Sequence, residues 1–321
     1  MVKTIRTGAH AYVKYGYEAT YAGTATPDKK FGLQATVSNL SLTHNRIDLA
    51  QLGQVEYGTY AYGQQAASMS VGFTLSNPWI FRSILGPSSG TDPFVFGGSY
   101  AAPTTPQTLQ VEVGVGGSEV DVVRTLKGGV ANSLGLTTSV GNTVQGNVDL
   151  SFGAENATSG TLSAAPVKPT AEFPYTFAHG ELTINDVVIS ELQDVDITFA
   201  QNTNLLYQVG TNQAVDSYRQ IFDITGRFRA AFVDKTFLDH TLNQIAKGTG
   251  TTYAETIGGT IELKLAFVKD GDEEIIITGQ GLAPTDHGIS GLAPVEPIFE
   301  DISWRIKSAI VSAKDSASAE E

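Results

Sequence analysis

Cysteine is absent from the chain, which excludes disulfides, thiolate nucleophiles and Cys-based zinc or iron–sulfur sites. The absence fits a reducing cytosol or an indifference to redox state, and does not choose between them. Basic residues are scarce: 20 Lys and Arg stand against 33 Asp and Glu, a net charge of −13. A surface that grips nucleic acid needs clustered cations, because neutralised phosphates supply most non-specific affinity. Tight nucleic-acid binding is therefore not expected, whereas a surface that must not stick to DNA is compatible with this balance. No segment reaches the ~18 apolar residues of a membrane helix. The opening Met1-Val-Lys-Thr-Ile-Arg-Thr-Gly lacks the apolar stretch of a secretion signal. Neither a membrane partner nor classical export is expected.

Catalytic spacings are also missing. His10, His44, His179, His240 and His287 form no His-x-His or His-Glu-x-x-His pair. There is no Gly-x-Ser-x-Gly elbow and no phosphate loop. Asp270, Asp272, Glu273 and Glu274 crowd one turn without the spacing of an EF-hand. The chain is read as no enzyme, with no catalytic or metal site and no cofactor. An all-β glycosidase can act through two unremarkable carboxylates, so a carbohydrate-binding or carbohydrate-active protein stays open as a reading from another class. Trp79 and Trp304 are the only tryptophans, and both sit in apolar patterns, which argues against a sugar-stacking cleft.

What is abundant points to strands. Glycine (34 residues), Thr, Ser and Val favour extended segments and tight turns, and 41% hydrophobic residues suffice for packed cores. At 321 residues two domains are expected. The pattern beginning Asn39-Leu-Ser-Leu-Thr-His recurs 155 residues later at Asp194-Val-Asp-Ile-Thr-Phe. Ser70-Val-Gly-Phe73 likewise maps to Thr225-Gly-Arg-Phe228, and Asn77 to Leu85 falls opposite Asp234 to Leu242. Each copy reads as strand, long polar loop, strand and one short helix. The loops span 46 to 66 and 200 to 220; the helices start at Asn77-Pro78 and at Asp234. Leu109 to Val115 and Ile261 to Phe267 alternate as strands, and Ile302, Trp304 and Ile306 form a last one. Ala, Ser, Thr and Pro without periodicity mark 154 to 174 as a linker, and Ser312 to Glu321 reads as a frayed tail. The division is thus an arm and first domain over 1–153, the linker 154–174, a second domain over 175–313 and a tail over 314–321.

Phe177-Ala-His-Gly-Glu-Leu-Thr-Ile-Asn-Asp-Val-Val-Ile-Ser-Glu-Leu and Ile197-Thr-Phe-Ala-Gln-Asn-Thr-Asn-Leu-Leu-Tyr-Gln-Val-Gly resemble segments of one family. They are similar to the opening strands, and to the strand and inter-ring loop, of the tail tube proteins of tailed viruses. The resemblance covers residues 35 to 313 as a pattern of elements. It implies a mainly β fold of two tandem β-sandwich or open-barrel domains, each with one short α-helix. Such domains close a multi-subunit β-barrel ring, here a trimeric, pseudo-hexameric one. The implied role is the major subunit of a hollow virion tail tube, assembled in the host cytoplasm, that conducts double-stranded DNA without binding it tightly. Implied partners are further copies and the tape measure, terminator and baseplate or tip proteins. The inner tube of a contractile injection system, carrying protein cargo, is the nearest alternative.

Two sets of site residues follow from that role. A negative lumen repels phosphates within a Debye length of ~8 Å. Glu112, Asp121, Asp149, Glu262, Glu273 and Asp301, polar positions in or beside alternating strands, are the candidate lumen residues. The long loops would meet the next ring, through Tyr57, Tyr60, Tyr62, Tyr207 and Tyr218. Tyr suits an interface because it joins a large apolar area to a polar tip.

Overall fold

The computed structural model describes residues 11–49, 59–90, 93–97, 106–116, 121–159, 162, 173–184, 187–189, 191–232, 262–268, 273–292 and 297–314. The fold is mainly β. In chain order the strands are β1 (Ala11–Tyr17), β2 (Leu33–Leu49), β3 (Thr59–Thr74), β4 (Phe94–Phe96), β5 (Leu109–Val115), β6 (Val122–Ser139) and β7 (Gln145–Phe152). There follow β8 (Ala154–Ser159), β9 (Gly180–Ile184), β10 (Val187–Val188), β11 (Leu192–Ala200), β12 (Thr203–Tyr207), β13 (Ala214–Arg219) and β14 (Asp223–Ala231). The last five are β15 (Glu262–Val268), β16 (Glu274–Gln280), β17 (Ala283–Ser290), β18 (Phe299–Ile306) and β19 (Ser308–Lys314). One α-helix, α1 (Phe81–Leu85), and a 3-10 turn at Phe177–His179 are the helical elements among the described residues.

Eight strands form one antiparallel path in the order β17-β18-β14-β11-β6-β7-β3-β2. The path does not close on itself among the described residues. Apolar side chains alternate along it, so one face carries Met69, Val71, Phe73, Leu134, Leu136, Val148, Leu150, Phe152, Val195, Ile197, Phe199, Phe228, Ile302 and Trp304, all buried. That face packs against a second layer. In the first half the second layer is β1-β5-β6-β8; in the second half it is β10-β9-β15-β16-β19-β4. Strand β6 is long enough to serve both layers: Val122 to Gly129 pairs with β5, and Val130 to Thr137 with β7. The passage between them runs through Gly128, at φ 63, where a Cβ would lie 2.7 Å from the Tyr21 ring. Only glycine meets both demands there.

Several expectations are corrected by this arrangement. Residues 46 to 66 are not one long loop, because β2 and β3 continue as a paired ladder to Leu49↔Thr59. Likewise β12 and β13 form a hairpin inside 200 to 220. The hairpin was missed because apolar residues do not follow its burial period: Leu206 and Val215 are 48% and 39% exposed. The helix at Asn77 is shorter than its stripe. Asn77 Oδ1 does accept the Trp79 N–H at 3.2 Å, but α1 starts only after Ile80. The helix expected from Asp234 lies outside the described residues. The linker opens on a strand, β8, paired with β6 and held by the Arg124–Glu155 ion pair. The tail begins later than expected, since β19 runs to Lys314 and buries Ala309, Val311 and Ala313. Alanines gave that strand little apolar signal. Tyr15, taken as part of an arm, is fully buried against Phe31 at a ring distance of 4.6 Å.

Candidate assembly edges and polar sheet face

The eight-strand path ends at β2 and β17, each with no strand beside its outer side among the described residues. Residues 41 to 45 of β2 are exposed. On these two edge strands Leu42 is 39% exposed and Ile289 43%. The middle of the path differs. Where β11 meets β6, Leu134, Leu136, Ile197 and Phe199 are all at 2% or less. An open strand edge pairs with another chain unless something blocks it. Near the β17 edge, on the buried face, His287 Nε2 lies 2.7 Å from Glu300 Oε2, with both side chains almost fully covered.

The opposite face of the path is polar and open to solvent. Asp149, on β7, accepts hydrogen bonds from Ser70 Oγ of β3 at 2.5 Å and Ser133 Oγ of β6 at 2.8 Å, tying three strands together. Arg227 reaches Asp194 at 3.6 Å and Asp196 at 3.2 Å across the β11–β14 ladder. Arg305 meets Asp223 at 2.5 Å. Arg229 lies 4.0 Å from Asp301, which also accepts a bond from Ser290 Oγ at 3.4 Å. Burial pushes the Asp196 carboxyl above its ordinary value, against the pull of Arg227. With Asp286 in register opposite Ser303, carboxylates outnumber guanidinium groups on the described part of this face. It is an acidic sheet face whose cations are already engaged.

Open strand edges of this kind suit a protein that assembles. Among the described residues, no three of His, Asp and Glu converge so as to hold a metal ion. No helix among them is long and apolar enough to cross a membrane. A family model described as phage tail tube protein matches residues 8–306, nearly the whole chain. The chain belongs to that family. Comparison with curated proteins gives no match. The tail tube assignment makes the chain a structural component of a virion tail.

On this tail tube chain the residues singled out from sequence fall in different places. Of the six acidic candidates, Asp149 and Asp301 lie on the polar face of the long sheet. Glu112 is on β5 in the second layer, where Tyr12 Oη donates to it at 2.6 Å and Lys14 sits 3.2 Å away. Glu262 begins β15, also in that layer, and its side chain lies outside the described residues. Asp121 precedes β6 and accepts the Leu162 N–H at 3.4 Å; Glu273 directly precedes β16. Strands β5 and β15, which carry the lumen candidates Glu112 and Glu262, are thus both outside the eight-strand path. Alternation reports a sheet face but not which sheet. The sequence reading missed Asp194, Asp196, Asp223 and Asp286, although Asp194-Val-Asp-Ile carries the alternation that marks the first two.

Among the tyrosines, Tyr218 on β13 is half exposed. Tyr207 on β12 is partly covered and its Oη donates to the Gln65 carbonyl at 2.8 Å, so part of its polar tip is used inside the chain. Burial pushes its phenol up. Tyr60 and Tyr62 lie on the β3 ladder with side chains outside the described residues, as is all of Tyr57.

Proposed function

We propose that this chain is the major tail tube subunit, that three copies close a pseudo-hexameric ring, and that stacked rings make a hollow tube conducting double-stranded DNA. One observation carries the reading: a recurrence of connectivity. In chain order β2, β3, β6, β7 take the sheet order β6-β7-β3-β2, while β11, β14, β17, β18 take β17-β18-β14-β11. The second layers match as well, β1-β5-β6-β8 against β9-β15-β16-β19. Each half is then one two-layered unit, the second from β9 onward, and β8 belongs to the first unit rather than to a linker. The halves join through β11 and β6. The free edges, β2 and β17, are the counterparts of those two strands. Copies joined head to tail through such edges repeat one heterologous contact, which closes a ring when the rotation permits. Two sectors per chain make three chains the number that completes six.

In that ring the apolar face stays inside the wall and the acidic face lines the lumen. Asp149, Asp194, Asp196, Asp223, Asp286 and Asp301 would then face the passing phosphates. Electron microscopy of the purified protein tests the proposal: hollow tubes whose rings contain three chains are expected. Monodisperse monomers under all conditions, or rings of six chains, would refute it.

A further inference from the structure

Resting on that ring reading, we infer the register of the seam between chains: β2 of one copy pairs antiparallel with β17 of a second, Leu42 opposite His287, Ser41 opposite Gly288 and Ser38 opposite Ser290. Two independent marks align the halves. First, β7 and β18 are each separated from the next strand by a single residue, Gly153 and Lys307. Second, the ladder beside each carries an irregularity at the same place. The shift in β6 falls against Leu150 and Asp149; that in β17 falls against Trp304 and Ser303. Both marks equate Leu150 with Trp304 and Asp149 with Ser303.

The remaining equivalences follow through the ladders. Ser133 and Asp286 occupy matching places opposite Asp149 and Ser303, so Gly135 matches Gly288 and Thr137 matches Ser290. On the other side Leu150 faces Met69 and Trp304 faces Gly226, so Ser68 matches Thr225 and Ser70 matches Arg227. Their partners give Ser41 for Thr198, Leu42 for Phe199 and Ser38 for Asp196. This alignment is two residues from the one that places Ser70 on Thr225, because it follows hydrogen-bond ladders rather than letters. Within the chain Leu134 pairs with Phe199, Gly135 with Thr198 and Thr137 with Asp196. Transferring those three pairs produces the seam stated above.

Side-chain chemistry agrees with the transfer. Glycine occupies both matching positions, 135 and 288, and a Cβ on either would meet nothing nearer than 3.8 Å. The large apolar residues left exposed on the two edges, Leu42 and Ile289, match Phe199 and Leu136, which the internal seam buries to 0% and 2%. A second copy seated in this register covers them in the same way.

The absence of native cysteine makes the test clean. Ser41→Cys combined with Gly288→Cys places thiols that are seven strand spacings apart in one chain, about 34 Å along the sheet, far beyond disulfide reach. Across the proposed seam they face each other. Mild oxidation of assembled tubes should shift the protein to a ladder ending at a covalent trimer on a denaturing gel. Thr36→Cys with Gly288→Cys, displaced by five residues, should stay monomeric. Tubes that form normally but cross-link through the displaced pair, or through neither, would overturn the register while leaving the ring standing. A wild-type protein that forms no tubes would overturn the ring reading and the seam with it.

Discussion

Substitution of Gly226 by alanine probes the packing that holds the second half of the long sheet. Gly226 lies in the middle of β14, between Ile197 of β11 and Trp304 of β18. The indole of Trp304, at 1% exposure, lies directly over it. An alanine Cβ would sit 2.2 Å from Trp304 Cζ2 and 2.5 Å from the Asp196 carbonyl oxygen. The carbonyl belongs to a paired strand and cannot retreat without breaking the ladder, and the ring is enclosed on its other sides. Overpacking of this kind costs about 1–3 kcal/mol, and the two simultaneous clashes place Gly226→Ala near 3. In urea titration of the dissociated subunit, with a slope of about 3 kcal/mol per M, the midpoint should fall by about 1 M. Trp304→Leu removes the ring and by itself leaves a cavity costing about 2–4 kcal/mol. The double variant should be more stable than the sum of the singles implies, by about 1 kcal/mol or more, because only the ring clash is relieved. A Gly226→Ala protein within about 0.5 kcal/mol of wild type, or strict additivity in the cycle, would refute the packing account.

Three further outcomes are expected. Asp149→Ala leaves the hydroxyls of Ser70 and Ser133 without their shared acceptor and should cost about 1–3 kcal/mol; calorimetry of the subunit checks it, and an unchanged melting temperature counts against the three-strand tie. Burial holds the Glu18 carboxyl above its ordinary value, against bonds from the Gly128 and Ala22 N–H groups. The folded chain therefore keeps that proton to higher pH than the unfolded chain does. Its stabilising contribution is full below about pH 4.3 and declines as pH rises through the higher folded value, so Glu18→Gln should flatten the stability–pH curve just above that point, and an unchanged slope would show another group is responsible. Neutralising the acidic face with Asp194→Asn, Asp286→Asn and Asp301→Asn should leave assembly intact but let tubes retain duplex DNA in sedimentation at about 50 mM salt, with release by about 200 mM. No retention at the lower salt would mean that this face does not meet the DNA.

Much of the long sheet was readable residue by residue. Met69, Val71 and Phe73 alternate with polar partners, as do Val195, Ile197 and Phe199, because a strand between a packed layer and water must show that period. The failures have equally local causes. In the β12–β13 hairpin the exposed positions include Leu206 and Val215, so no apolar period marks it. Strand β19 buries alanines, whose contribution to apolar contrast is small. The acidic candidates divided according to sheet membership: Glu112 and Asp149 both alternate with buried neighbours, yet they lie in different sheets.

By itself the sequence determined the β-rich class, the absence of thiol chemistry, the acidic balance and the family, all of which rest on composition or on short-range order. Tertiary structure alone decided which strands adjoin. That Asp149 and Asp301 share a face with Asp194 and Asp196, and that β2 and β17 end the sheet, depends on ladders between residues far apart in the chain. Backbone hydrogen bonds make those ladders, and they carry no side-chain signature for a sequence to display.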